Sequence, residues 1–206
     1  ASVGVSPGKT LTQRRWNLGQ LAKLGAVLAG DTAEFGVAAG HSSRIIAEKT
    51  QIQGLQAKTH WAFDSFEGLP MPASQDVNSR APIRWERGML SHGQSEVEEL
   101  MGGFNLECIS GFLPATLKDA RISKLCFAHI DLDLEQGTSE VLQYCWDRMS
   151  IGGVIVVDDY GSTSCPGVTV AVDKFSLENG IPICHLTTGQ AVIIKSSEPT
   201  LSQPSQ

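Results

Sequence analysis

Along the chain, apolar residues alternate between a helical period and short continuous runs. Trp16, Leu18, Leu21, Leu24 and Leu28 recur at helical spacing after Thr10, a candidate cap, and before the turn at Gly30-Asp31. TAEFGV (32–37) reads as a strand, the loop Ala38-Ala39-Gly40-His41 enters a helix SSRIIAEKTQIQ (42–53) that Ser42 or Ser43 can cap, and HWAFD (60–64) completes a βαβ unit. A short helix at 94–101 and a strand LECIS (106–110) precede KLCFAHIDL (124–132), whose nearly unbroken apolar first part marks a central parallel strand buried on both faces. Helix 138–149, strand GGVIVVDD (152–159) and helix 168–177 continue the alternation, and IPICHL (181–186) and QAVIIK (190–195) flank Thr187-Thr188-Gly189 as a hairpin. The expected fold is α/β: a doubly wound, Rossmann-like, mostly parallel sheet that ends in an antiparallel strand pair.

The folded unit is expected to be one domain over residues 10–195, with Ser/Pro/Gly-rich flexible tails at 1–9 and 196–206. Between Ser65 and Gly93 no period persists through Pro70, Pro72, Pro82 and several Gly, Ser and Asn residues. A segment this long without regular structure is expected to serve as a lid or substrate wall.

Bulk properties narrow the function classes. A chain of 206 residues with 41% hydrophobic composition can bury a sizeable core. Sixteen basic residues against 22 acidic ones, a formal charge of -6 without a Lys/Arg cluster, argue against a nucleic-acid surface or an anionic membrane and suit a small neutral or cationic partner. Five widely spaced cysteines without C-x-x-C point to reduced thiols in a cytoplasmic protein. No apolar stretch is long enough to span a bilayer, and residues 1–10 lack the apolar run of a signal peptide.

The candidate chemistry gathers at strand ends. In Glu34-Phe-Gly-Val-Ala-Ala-Gly40, Gly36 and Gly40 allow close approach to the backbone, by a ligand or simply by the loop itself; the spacing is not G-x-G-x-x-G. Asp64 ends the second strand, where a carboxylate can accept both hydroxyls of a ribose or cap the turn Ser65-Phe66-Glu67-Gly68; beside the glycine loop, ribose binding is the preferred reading. Asp131 and Asp133, two apart, are expected on one side of their strand, and Asp158 and Asp159 end the next strand, after one helix. Four carboxylates on neighbouring strand ends suit Mg2+, Mn2+ or Ca2+ rather than zinc, provided the strand stops at Asp158; the alternative is that Asp133 caps a helix and Asp158-Asp159 open a turn. His129 is either a base or ligand or a strand histidine bonded to backbone, and His41 and His92 read as ordinary exposed histidines. Most aromatic residues read as core, with Trp85 the one placed to line a pocket, and the hydrolase, zinc-protease and P-loop motifs are absent.

Taken together, E-F-G-V-A-A-G-H-S-S (34–43), F-D-S-F-E-G-L-P (63–70), G-F-L-P-A-T-L (111–117), H-I-D-L-D-L-E-Q-G-T (129–138) and I-G-G-V-I-V-V-D-D-Y-G followed by P-G-V-T-V-A-V-D-K-F resemble the metal-dependent O-methyltransferases of the macrocin and mycinamicin type. The resemblance runs from about Asn17 to Lys195. It implies a class I methyltransferase sheet that binds S-adenosylmethionine and methylates a hydroxyl of a small molecule, a sugar or natural-product scaffold. Glu34, Gly36 and Gly40 would surround the methionine part, Ser42 or Ser43 its carboxylate, Asp64 the ribose, and Ser65, Ser110 and Gly111 the adenine. Asp131, Asp158 and Asp159 match the family's metal ligands, for Mg2+ or Mn2+, and Asp131 also matches the residue that takes the hydroxyl proton. The chain departs from the family's D-L-Y-E-S-T with Asp133-Leu-Glu-Gln-Gly-Thr138, a change that bears on the acceptor, whose wall is expected from residues 71–92 with Arg80, Arg84, Arg87 and His92. Two other readings remain: a nicotinamide-dependent oxidoreductase, disfavoured by the missing glycine triplet, and a non-catalytic S-adenosylmethionine-binding protein, motivated by the 135–137 departure. Exposed apolar positions of the first helix offer a face on which a second subunit could pack.

Overall fold

The computed structural model of the chain describes residues 7–52 and 57–196. Seven strands, β1 (Asp31–Phe35), β2 (His60–Asp64), β3 (Leu106–Ser110), β4 (Leu125–Ile130), β5 (Met149–Val157), β6 (Cys184–Leu186) and β7 (Gln190–Ile194), form one sheet in the order β3-β2-β1-β4-β5-β7-β6. The first five run parallel to one another, and β7 runs antiparallel to both β5 and β6. Strand order reverses direction between β1 and β4, the switch point at which an open α/β sheet leaves a crevice beyond its carboxyl ends. Register levels the edge there: Phe35 pairs with Ile130 and Ile130 with Val157, so the loops that follow β1, β4 and β5 start side by side.

Five helices flank the sheet: α1 (Pro7–Ala26), α2 (His41–Thr50), α3 (Gln94–Leu100), α4 (Glu135–Arg148) and α5 (Pro166–Asn179). The two faces differ in chemistry because side chains alternate along a strand. Ala33, Phe35, Ala128, Ile130, Ile155 and Val157 face one way and pack with Val141, Leu142, Trp146, Val168, Val172 and Phe175 of α4 and α5. On the face covered by α1 and α2, Leu18, Ala22, Ile46, Phe127, Val154, Val156 and Val192 form a second core, interrupted by fully buried Thr32, Glu34, His60 and Gln190 and nearly buried His129. Among the described residues, no helix is long and apolar enough to cross a membrane.

Several element ends depart from the sequence expectation, two of them through a distant partner. The helix expected to start at Thr10 is already formed at Pro7, within the stretch expected as a tail; the rest of 1–9, nearly all of 196–206, and Gln53 at the expected end of α2 lie outside the described residues. Neither Ser42 nor Ser43 caps α2: Gly40, left-handed at φ 79°, is the N-cap without a side-chain bond, because the Ser43 hydroxyl is turned inward onto Glu34. Helix α4 starts at Glu135, three residues before Thr138, with its first amide held from outside by Asp76. Strand β5 starts at Met149 and stops at Val157, leaving both Asp158 and Asp159 beyond it. Likewise β4 stops at Ile130, and Asp133 adopts φ 62°, so Asp131 and Asp133 do not share a strand face as expected; the chain has already turned. Ser74–Asp76, a single 3-10 turn, is the regular structure found within 65–93.

Candidate functional site

The three levelled loops open onto a cavity of about 740 Å³. Gly36, Val37 and Ala38 from the β1 loop, Asp131 to Leu134 from the β4 loop and Asp158 and Asp159 from the β5 loop line it, together with Leu11, Arg14, Arg15 and Leu18 of α1. The long irregular segment supplies the outer wall through Leu69, Pro70, Met71, Trp85, Leu90 and His92, with Phe112, Leu113 and Pro114 of the β3 loop beside it. Trp85 is fixed there by donating its indole N–H to the Ser164 carbonyl at 2.9 Å. Arg80 and Arg87 do not line this cavity, and Arg84 borders a smaller hollow of about 240 Å³.

A line of alternating charge runs beneath the cavity on the α1/α2 face. The Ser43 hydroxyl donates to Glu34, and Glu34 Oε1 lies 2.7 Å from His129 Nδ1. On the other side of the ring, His129 Nε2 is 3.4 Å from Asp158 Oδ1. Asp158 Oδ1 also accepts from Gln190 Nε2 at 2.8 Å, and its Oδ2 lies 3.6 Å from Arg14 Nη1, whose Nη2 donates to Asp159 at 2.9 Å. Burial opposes every charge in this line, yet each neighbour is of opposite sign. Burial would push the Glu34 carboxyl up, but the bond and charge of His129, with His60 and Ser43, hold it below its ordinary value. Burial would likewise discharge His129, but the charges and bonds of Asp158 and Glu34 raise it well above its ordinary 6.5. Asp158 is held low against burial by His129, Arg14 and Gln190. His60, beside Thr32 in the same polar stripe, is lowered by burial to about 4, with Glu34 opposing the shift and His129 adding to it.

The acids that extend beyond this line repel one another. Burial, then Asp158, Asp133 and Asp159, push Asp131 well above the carboxylate range, and burial with Asp159 pushes Asp133 up to about 7. Ligand atoms of His129, Asp131 and Asp158 all lie within 4.8 Å of one another, as do those of Asp133, Asp159 and Cys165. The expected trio of Asp131, Asp158 and Asp159 is therefore divided: consecutive residues after β5 diverge, Asp159 taking φ 61°, and Asp159 faces Asp133 and Cys165 while Asp158 faces Asp131 and His129. A divalent cation suits this place, since it would relieve the repulsion on Asp131, and His129 Nε2 is buried without a hydrogen-bond partner. The donor set of carboxylate oxygens with one imidazole nitrogen fits Mg2+ or Mn2+ better than a thiolate-preferring metal.

The cofactor residues named from sequence separate into two groups. Gly36, Ser42, Asp64, Ser65 and Gly111 line the cavity, whereas Glu34, Gly40, Ser43 and Ser110 do not. Gly36, at φ 85°, is required by the sheet itself: a Cβ there would stand 1.9 Å from the Asp131 carbonyl oxygen, so the tight approach of the β1 and β4 loops depends on it. Asp64 serves the turn as well as the cavity, accepting Val37 N at 2.7 Å and Ala38 N at 3.0 Å on Oδ2, and Phe66 N at 2.8 Å on Oδ1. Its carboxylate thus shapes the glycine loop, and of its four lone-pair sites one, on Oδ1, is left for a ligand.

Three residues of the site escape sequence reasoning. Arg14 looks like a solvated position of an amphipathic helix, Gln190 like an ordinary strand residue, and Asp76 like one polar residue in an irregular stretch. Asp76 accepts Glu135 N at 2.7 Å and Ala73 N at 3.2 Å, joining the outer wall to the start of α4. The available signal for Asp76 was its position: an acid within a segment already expected to wall the site. Of the residues that depart from the family pattern, Gln136 and Gly137 face the cavity.

A model of the Macrocin-O-methyltransferase (TylF) family matches residues 19–188. The chain is 29% identical over 143 residues to 8-demethyl-8-(2,3-dimethoxy-alpha-L-rhamnosyl)-tetracenomycin-C 4'-O-methyltransferase of Streptomyces olivaceus, covering 66% of this chain and 55% of that protein. It is 26% identical to demethyldecarbamoylnovobiocin O-methyltransferase of Streptomyces niveus, over 74% of this chain and 60% of that one, and 25% identical to mycinamicin III 3''-O-methyltransferase of Micromonospora griseorubida, over 74% and 62%. The chain thus spans between 55% and 62% of the length of these relatives. Among solved structures, the O-methyltransferase NovP superposes with a TM-score of 0.75 at 22% identity, covering 90% of this chain and 80% of that chain, and the calicheamicin methyltransferase CalS11 with 0.76 at 17%, covering 95% and 88%; both likenesses concern the fold.

Proposed function

The chain belongs to the macrocin O-methyltransferase (TylF) family, and on that premise we propose that it transfers a methyl group from S-adenosylmethionine to a sugar hydroxyl on an apolar natural-product scaffold, with Mg2+ or Mn2+ at its acidic edge. One observation carries the reading: His129, Asp131 and Asp158 converge within 4.8 Å on the wall of a cavity that also reaches the glycine loop. S-adenosylmethionine supplies an electrophilic methyl group, and a divalent ion supplies charge that lowers the pKa of an acceptor hydroxyl.

The chain's own residues do the rest. The β1 loop and the first turn of α2, at Gly36 and Ser42, take the amino-acid end of the donor, with the amides of the helix N-terminus suited to a carboxylate. Asp64 takes the ribose, and Ser65 and Gly111 flank the base, with Ser110 behind them at the end of β3. Glu34, Gly40 and Ser43 support this loop from behind. Asp131, at the place where the acceptor hydroxyl would meet the ion, receives the hydroxyl proton, and His129, Asp131 and Asp158 are the residues that would hold the metal. Asp159 extends this edge from the side, through Arg14. Leu69, Met71, Trp85, Leu90 and Phe112 give the acceptor an apolar bed, which suits a glycoside better than a free sugar; the relatives' names, on tetracenomycin, novobiocin and mycinamicin substrates, support the same class. Five unpaired cysteines, three of them buried, support a reducing, cytoplasmic setting.

Mass spectrometry of reactions containing S-adenosylmethionine and a panel of macrolide, coumarin and polyketide glycosides, with Mg2+ or with chelator, tests the reading. A methylated glycoside is expected with Mg2+ alone, and Asp158→Ala should lose both turnover and Mn2+ binding with its circular dichroism unchanged. Full turnover in chelator would refute the metal's part, and no product from any hydroxyl acceptor would refute the activity.

A further inference from the structure

Arg14 is the cation that reaches the acidic edge from outside the sheet. Its Nε donates to the Thr188 carbonyl at 2.8 Å, which fixes the plane of the guanidinium and turns both Nη atoms toward the carboxylates. One turn further along α1, Asn17 Nδ2 bonds Thr188 Oγ1 and Gln190 Oε1, each at 3.1 Å, so the helix is fastened to the β6–β7 turn at two points. The oxygens of Asp158 are unequally engaged. Oδ1 is held by Gln190 and lies near His129, whereas Oδ2 lies 3.6 Å from the guanidinium. Asp159 Oδ1 is occupied by the same group. An ion entering from the cavity therefore meets a positive charge on the oxygens it needs, and like charges this close repel strongly in a partly buried place.

We infer that Arg14 is the resident counter-ion of this edge and competes with the divalent ion for Asp158. In the metal-free protein the guanidinium bridges Asp158 and Asp159, which would otherwise repel each other, and ion binding at Asp158 releases it and loosens α1 at its tie to the sheet. The inference rests on the metal reading of the same edge, so its test separates the two.

Calorimetric titration of Mn2+ into the wild type, Arg14→Gln and Arg14→Lys, without donor or acceptor, reads the competition. The glutamine variant, which loses the charge, is expected to bind Mn2+ about tenfold more tightly, and the lysine variant to stay near the wild type. Equal or weaker binding by a folded Arg14→Gln overturns the competition. If that variant does not fold, hydrogen exchange of the wild type decides: faster exchange in α1 on Mn2+ loading supports release of Arg14, and unchanged exchange overturns it. Binding by neither wild type nor variant overturns the metal reading itself.

Discussion

Glu34→Gln is the most telling perturbation of the charge line, because it removes one charge without changing the volume of a fully buried side chain. The wild-type carboxylate sits 2.7 Å from His129 Nδ1 and accepts the Ser43 hydroxyl, so the variant leaves the buried His129 ring with only Asp158, at 3.4 Å, as a counter-charge. Removing one partner of a buried ion pair costs about 3–5 kcal/mol, and since the amide still offers an oxygen to the ring the lower end, about 3 kcal/mol, applies. For a chain of this size that corresponds to a Tm lower by about 6–12 °C. The pH dependence carries a second signature, whose sign follows from linkage. Glu34, held below its ordinary value, contributes stability that is present above its unfolded pKa and lost as pH falls through its folded one. His129, raised well above 6.5, contributes stability that is full below its unfolded pKa and lost as pH rises through the folded one. The pair is thus strongest in mildly acid to neutral solution, and the variant should lose the Glu34 share of the acid limb. Calorimetric unfolding of Glu34→Gln, His129→Asn and the double variant, each from acid to alkaline pH, measures both effects; contacting residues should show a coupling of about 0.5–3 kcal/mol. Single-variant losses that simply add, or an acid limb unchanged in Glu34→Gln, would refute the charged-pair argument.

Two further perturbations separate donor from acceptor. Asp64→Asn keeps one acceptor oxygen but sets an amide N–H₂ among the N–H groups of Val37, Ala38 and Phe66, and should weaken S-adenosylmethionine binding about tenfold or more, read by calorimetry; an unchanged Kd would remove Asp64 from the donor site. Asp76→Ala strips the cap from the first amide of α4 and frees Ala73, at a cost of about 1–2 kcal/mol, and should raise the acceptor KM while leaving the donor Kd unchanged; a change in donor binding alone would contradict its place in the acceptor wall.

What the sequence determined by itself was the set of elements and the family. Strands β2 and β3 occur at the residues their composition indicates, and the unbroken apolar run of β4 does lie at the centre of the sheet, because burial on one or both faces is written into a few consecutive side chains. The blocks at 34–43, 63–70, 129–138 and 151–161 bring with them the glycine loop, Asp64 and the acids, all of which stand at the carboxyl edge. Tertiary structure decided how those pieces meet. Ser43 was available to cap a helix until Glu34, nine positions away, claimed its hydroxyl; α4 begins where Asp76, 59 positions away, holds an amide; and Asp158 and Asp159 part company because the chain turns after Val157. Arg14 reaches Asp159 across 145 positions of sequence, a distance at which no local spacing carries information. Period and composition report how a residue sits on its own element, whereas a charge is stabilised by whichever opposite charge the folded chain brings near it, and that neighbour is set by strand order, register and the packing of helices and loops on the sheet.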